Sequence, residues 1–192
     1  GEIINKDGSM LQGVFHHGRL QSGSGVHRLP GGIVLQGSWE EGGLCGPGRS
    51  ILADKKVLEG NFRHGLLHGE GVVVDADGNR LEGEFRQGKI FNGSGFLRHR
   101  DGNIEEGHWV DGLLDGPGMR FRKKDGCIQE GNFMQGKLHG QGVLLYQYYP
   151  DLSLRGEFIR GKIHNGSGTL IHPSGDVEEG EWIEGKFHGS KS

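Results

Sequence analysis

The chain has 192 residues, among them 40 glycines and five prolines, with 32% hydrophobic, 8% aromatic and 24% charged residues and a formal net charge of −3 at pH 7. This near balance of charge supplies no field suited to nucleic acid, and the apolar share is thin for one compact core of this length, which favours an extended shape with a narrow core. The glycines follow neither a collagen triplet nor a low-complexity tract, so they must serve particular backbone positions. No run of 18 apolar residues occurs, and the start, GEIINKDGSM, has no charged-then-apolar leader; neither a membrane span nor secretion is expected. Two cysteines, Cys45 and Cys127, fit a reducing, intracellular compartment, and lie more than three repeats apart, too far for a disulfide within one rod.

In chain order, residues 1–10 read as half a hairpin, and from there the sequence repeats. Eight copies start near residues 11, 35, 58, 81, 105, 129, 154 and 178, each 23 to 25 residues long and led by a glycine, from Gly13, Gly37 and Gly60 through to Gly180. Two residues after that glycine stands an aromatic: Phe15, Trp39, Phe62, Phe85, Trp109, Phe133, Phe158 or Trp182. A second glycine follows five residues on, as at Gly65, and an apolar residue seven on, as at Leu67.

The stretch from Leu58 to Phe62, LEGNF, alternates as a strand with one buried face, with leucine, glycine and aromatic on that face. The glycine between them opens a slot over which an aromatic of the neighbouring repeat can lie. Gly65 and its equivalents sit where a tight turn needs positive φ. A second strand follows, clearest in GVVVD, GFLRH and GVLLY, and the Asp-Gly pairs at Asp77, Asp101 and Asp125 close the next turn. An extra residue appears in QSGSG, FNGSG and HNGSG, in the first, fourth and seventh copies, where it is expected to alter twist.

A lone hairpin is marginal in water, so the copies are expected to pair edge to edge. The predicted fold is all-β: one array over residues 1–192, an elongated single-sheet solenoid of tandem β-hairpins forming a twisted rod or half-pipe.

The segments LEGEFRQGKI, LRGEFIRGKI, EEGEWIEGKFHG and IQEGNFMQGKLHGQG resemble the unit of the MORN (membrane occupation and recognition nexus) repeat, and the resemblance covers essentially the whole chain. The family's usual first-position tyrosine is replaced by Leu11, Leu35, Leu58, Leu81 or Leu154, and by Glu105, Gln129 or Glu178 elsewhere. The resemblance implies an all-β scaffold or linking module in cytoskeletal, membrane-contact or ciliary assemblies, with phospholipid binding proposed for the family.

No enzymatic motif competes with this. Four copies read GxxxxGK, but Ile90, Leu138, Ile163 and Phe187 follow where a phosphate loop needs serine or threonine. No cofactor is expected. Cys45, His68, His139, His164 and His188 occupy equivalent turn positions; packing of these histidines on aromatics is preferred, with a structural zinc shared between chains as the alternative. Arg120, Arg122, Lys123 and Lys124, with Arg98 and Arg100 one repeat earlier, make the one basic cluster, a candidate patch for anionic lipid or an acidic partner.

The groove aromatics are expected to be Phe15, Trp39, Phe62, Phe85, Trp109, Phe133 and Phe158. The last copy stops after its first strand, which would leave Trp182 and Phe187 uncovered, so Trp182, Ile183, Phe187 and His188 form the expected contact set of an end-to-end homodimer. The half repeat at the start suggests that the native array is longer. The expected function is a non-enzymatic scaffold or protein-interaction module, intracellular and cytoskeleton- or membrane-associated, with a protein partner along its groove and no nucleic acid. The alternatives are an anionic phospholipid-binding module and the targeting domain of a larger enzyme.

Overall fold

The computed structural model describes residues 1–149, 152–172 and 174–191. They separate into two compact units, Gly1–Gly95 and Phe96–Ser192. The first carries β1 (Glu2–Ile4), β2 (Met10–His16), β3 (Arg19–Leu29), β4 (Ile33–Glu40), β5 (Gly43–Ile51), β6 (Val57–Arg63), β7 (Leu66–Val74), β8 (Arg80–Arg86) and most of β9 (Lys89–Arg98). The second carries β10 (Ile104–Val110), β11 (Leu113–Arg122), β12 (Cys127–Met134), β13 (Lys137–Tyr146), β14 (Ser153–Ile159), β15 (Lys162–Ile171), β16 (Val177–Ile183) and β17 (Lys186–Lys191). Within each unit successive strands pair antiparallel in chain order, and the described residues contain no α-helix. The all-β run of tandem hairpins read from the sequence is the observed architecture.

Each hairpin is pinned at its tip by one cross-strand pair. The repeat aromatic faces the apolar residue of the returning strand: Phe62 opposite Leu67, Phe85 opposite Ile90, Trp109 opposite Leu114, Phe133 opposite Leu138. Directly opposed side chains on one face are the unit of sheet stabilisation, and these pairs are deeply buried, with Leu67, Leu114, Leu138, Phe85 and Phe158 each 1% exposed. Phe15 is only half-buried.

The tip itself is a two-residue turn with positive φ at both positions, for example His64 (50°) and Gly65 (80°), the geometry whose twist matches that of the flanking strands. The sequence marked the glycine; the residue before it, which is Glu41, Gln87 or Arg160 in other copies, carries no local signal for positive φ. A bond between hairpins holds it there. The turn glycine donates to the carbonyl of the apolar residue in the preceding hairpin: Gly65 N to Leu44 O (2.9 Å), Gly88 N to Leu67 O (2.8 Å), Gly136 N to Leu114 O (2.8 Å) and Gly161 N to Leu138 O (2.8 Å).

The leading glycine works differently from the sequence expectation. It does not lie beneath a neighbouring ring; it faces another glycine across the ladder, so that Gly37, Gly48, Gly60, Gly71, Gly83 and Gly93 form one line of opposed glycines crossing β4 to β9. A methyl group at Gly60 would stand 2.5 Å from both the Glu70 oxygen and the Gly71 Cα. The rings instead face the glycine nearer the tip in the preceding hairpin, Phe62 opposite Gly46, Phe85 opposite Gly69 and Phe133 opposite Gly116.

The extra residue of the first, fourth and seventh copies now has a structural account. In an ordinary hairpin the pairing passes from Gly60/Gly71 to Phe62/Leu67, so three residues of β7 oppose Asn61 alone. In the fourth copy it passes from Glu84/Asn92 to Phe85/Ile90, leaving only Phe91 bulged. The leading glycine thus faces the first glycine of its GxG pair and not the second. In the first copy Gly13 faces Gly23 while Gly25 faces Gly37, and in the seventh Gly156 faces Gly166 while Gly168 faces Gly180. The glycine line therefore steps by two residues along the strand at the first and seventh copies, a bulge used to reset register.

Candidate interaction surfaces

Strand alternation gives every hairpin a second face, away from the rings. In the first unit this face carries two cross-strand rows: Gln36, Arg49, Glu59, Val72 and Glu82, and beside it Val34, Ile51, Val57, Val74 and Arg80. Between and beneath them the opposed glycines leave bare backbone. The result is a groove of about 1020 Å³ across β4 to β8, floored by Gly37, Gly48, Gly60, Gly71 and Gly83 and walled by Glu59, Val72, Val74 and Glu82. Arg80 pairs with Glu82 (2.7 Å), whereas Arg49, Glu59 and Glu70 stand exposed.

None of the expected groove aromatics lines this groove. Trp39, Phe62, Phe85, Trp109, Phe133 and Phe158 are buried on the other face, and Phe15 is half-buried there. Rings and groove use opposite faces of one sheet, and the groove follows the glycines that the rings leave free.

In the second unit the ring face holds charge in a row that is uncharged in the first unit. Leu35, Ser50, Leu58, Val73 and Leu81 form the row in the first unit; Glu105, Arg120, Gln129, Leu144 and Leu154 form it in the second. Arg120 Nε donates to Glu105 Oε1 (2.7 Å), its Nη1 donates to the carbonyl of Gly136 (2.7 Å), and its guanidinium lies 5.3 Å from the Phe133 ring centre. His99 Nε2 sits 3.0 Å from the other Glu105 oxygen. Glu178, at the same place in the last copy, pairs with His172 at 3.1 Å. The acidic first positions are thus partners of a histidine in the preceding turn.

The basic cluster read from the sequence is divided by these bonds. Arg120 is held by Glu105, and Arg122 is held by Asp125 at 2.7 Å. Burial opposes ionisation of Asp125, but the bonds from Arg122 and from the Cys127 amide outweigh it and hold its carboxyl below the usual range. Arg98 lies 5.9 Å from the Phe96 ring centre. Arg100, Lys123 and Lys124 are exposed in turns.

Of the expected dimer contacts, Ile183 and His188 are exposed, but Trp182 is 4% exposed and packs on the half-buried Phe187, ring centres 5.0 Å apart. Trp182 is therefore not left bare, because its cross-strand partner on β17 supplies the cover expected of a further repeat. Cys45 Sγ donates to Glu40 Oε2 (3.2 Å); that bond and burial push its thiol above the ordinary value, and burial does the same for Cys127. Both are free thiols. Cys45, His68, His139 and His164 are half-buried and His188 exposed; among the described residues no three metal-binding side chains converge.

The model of the MORN repeat matches residues 59–80, 106–126, 130–147, 155–177 and 179–190, together half of the chain. No curated protein matches. Among solved structures, a chain described as the SAS-4 (dCPAP) TCP domain in complex with a proline-rich motif of Ana2 (dSTIL) of Drosophila melanogaster is similar over 93% of this chain and 86% of that one, at 19% identity and a TM-score of 0.34.

Proposed function

The chain belongs to the MORN repeat family, a non-enzymatic repeat family, and from that premise we propose that it is a scaffold whose sheet face receives a protein partner. The observation that carries this is the groove of the first unit: about 1020 Å³ of space over backbone glycines, with half-buried valines between exposed carboxylates and Arg49. Apolar area flanked by unpaired charge suits a polypeptide, whose side chains need both.

A photo-crosslinking residue placed at Glu59 or Val72 tests it. Discrete adducts from these positions, and none from one placed at Glu2 outside the groove, are expected; equal labelling at all three sites would sink the assignment.

We further propose that two copies associate through the last hairpin, as part of an intracellular assembly at the cytoskeleton or a membrane. Exposed Ile183 and His188 would be the contacts, with Trp182 and Phe187 packed beneath them as support. Light scattering should then return twice the 20.9 kDa of one chain, and Ile183→Arg with His188→Glu should halve it. A monomer at all concentrations refutes the dimer and leaves the groove unaffected. Direct lipid binding has less support, because Arg120 and Arg122 already hold carboxylates.

A further inference from the structure

The two positions flanking each hairpin turn form a cross-strand pair on the face away from the rings. In the second unit these pairs are Val110/Leu113, Met134/Lys137, Ile159/Lys162 and Ile183/Lys186. Every hairpin of the unit thus presents at least one exposed apolar side chain at its tip: Val110 at 52%, Met134 at 42%, Ile159 at 40% and Ile183 at 52%. The next three each add a lysine beside it. In the first unit the same places hold His16/Arg19, Glu40/Gly43, Arg63/Leu66 and Arg86/Lys89, and only Leu66 is apolar. The row is therefore a property of the second unit and not a requirement of the fold, whose tips tolerate charge.

Charge indicates what covers it. Lys137, Lys162, Lys186 and Arg160 are exposed, and none of them holds an ion pair among the described residues. The acids at these tips are Asp111, which is already engaged, and Glu184. A row of apolar side chains with free cations between them is complementary to a segment with apolar side chains between carboxylates. Spacing indicates its form. Neighbouring hairpins are two strands apart, about 9.6 Å, and seven residues of helix rise about 10.5 Å. An extended strand would need about three residues per step, and an odd number turns alternate side chains away.

We propose that the first three hairpin tips of the second unit dock an acidic amphipathic helix of another protein, one apolar side chain of each heptad meeting Val110, Met134 and Ile159 in turn and its glutamates or aspartates meeting Lys137 and Lys162. This rests on the scaffold reading above but uses a different surface from the groove.

The probe is a labelled synthetic peptide of about four heptads with leucine at the seam and glutamate beside it, compared with a scrambled peptide of identical composition by fluorescence anisotropy. The full chain should bind the patterned peptide and bind the scrambled one at least about tenfold more weakly. Lys137→Glu with Lys162→Glu, and separately Met134→Lys with Ile159→Lys, should each weaken binding by at least about tenfold. All four positions are exposed, so unchanged thermal unfolding is the check on folding.

Equal binding of the scrambled peptide, unchanged binding by either variant, or no binding at all overturns the proposal. So does sedimentation with phosphatidylserine vesicles that depends on these residues while the peptide does not bind, since a membrane would then be the occupant. The substitutions leave Glu59, Val72, Ile183 and His188 intact, so groove crosslinking and dimer mass still report on the scaffold reading when the helix site fails.

Discussion

Gly60→Ala is the most informative single change, because it separates the steric demand of the glycine line from general backbone freedom. Gly60 has φ of 144°, a region that side chains rarely enter, which costs about 1–3 kcal/mol for alanine. The added methyl would also meet Glu70 O and Gly71 Cα at 2.5 Å. Both are backbone atoms of the paired strand, so relief requires the ladder to separate, an overpacking cost of a further 1–3 kcal/mol or so. Together these amount to about 2–6 kcal/mol, against a total stability for a domain of about 5–15 kcal/mol.

Gly65→Ala is the control. Its φ is 80°, also positive, but nothing lies within 4 Å of the added carbon, and only the left-handed cost of about 1–2 kcal/mol remains. Urea unfolding followed by tryptophan fluorescence reads both variants, with Trp39 reporting on the same unit. The midpoint of Gly60→Ala should fall well below that of Gly65→Ala. Equal midpoints would refute the claim that opposed glycines are needed for strand approach.

Other outcomes are expected. Phe62→Ala removes a 3% exposed ring from its pair with Leu67 and should cost about 3–5 kcal/mol in the same assay, whereas Phe15→Ala, at a half-buried ring, should cost less. Glu105→Leu alone leaves Arg120 without its carboxylate on the ring face and should lower the melting temperature; adding Arg120→Leu should restore it or raise it, since an apolar pair often matches an ion pair held partly out of water. Because the Asp125 carboxyl titrates below its unfolded value, its contribution is present above about pH 3.9 and lost as pH falls through the folded value. Urea midpoints from pH 6 to about 2.5 should therefore fall less steeply at the acid end for Asp125→Asn than for the parent chain. Reversing Arg100, Lys123 and Lys124 together should leave sedimentation with anionic vesicles unchanged, and a clear loss would reopen the lipid reading.

The repeat itself was legible because it is chemical: one aromatic two residues after a glycine, and a turn glycine three further on, announce strand, slot and tip without any knowledge of neighbours. The acids at the first position, Glu105 and Glu178, were visible as departures, but their histidine partners lie in the preceding turn and were found only when strand pairing placed them together. The aromatics were expected to line the groove, whereas the groove of the first unit lies on the opposite face, over the backbone of the opposed glycines. Periodicity assigns residues to faces and cannot say which face is left open.

What the sequence by itself determined is therefore the hairpin, its length and its buried pair, since alternation and positive-φ glycines act over a few residues. What only the tertiary structure decided is register between strands: that Gly60 opposes Gly71 and not a ring, that the extra residue of the first and seventh copies steps the glycine line by two, and that four tips in one unit align their apolar side chains. The physical reason is that register is chosen by hydrogen bonds and close contacts between strands, where one residue of slip exchanges the two faces, and no single repeat contains that information.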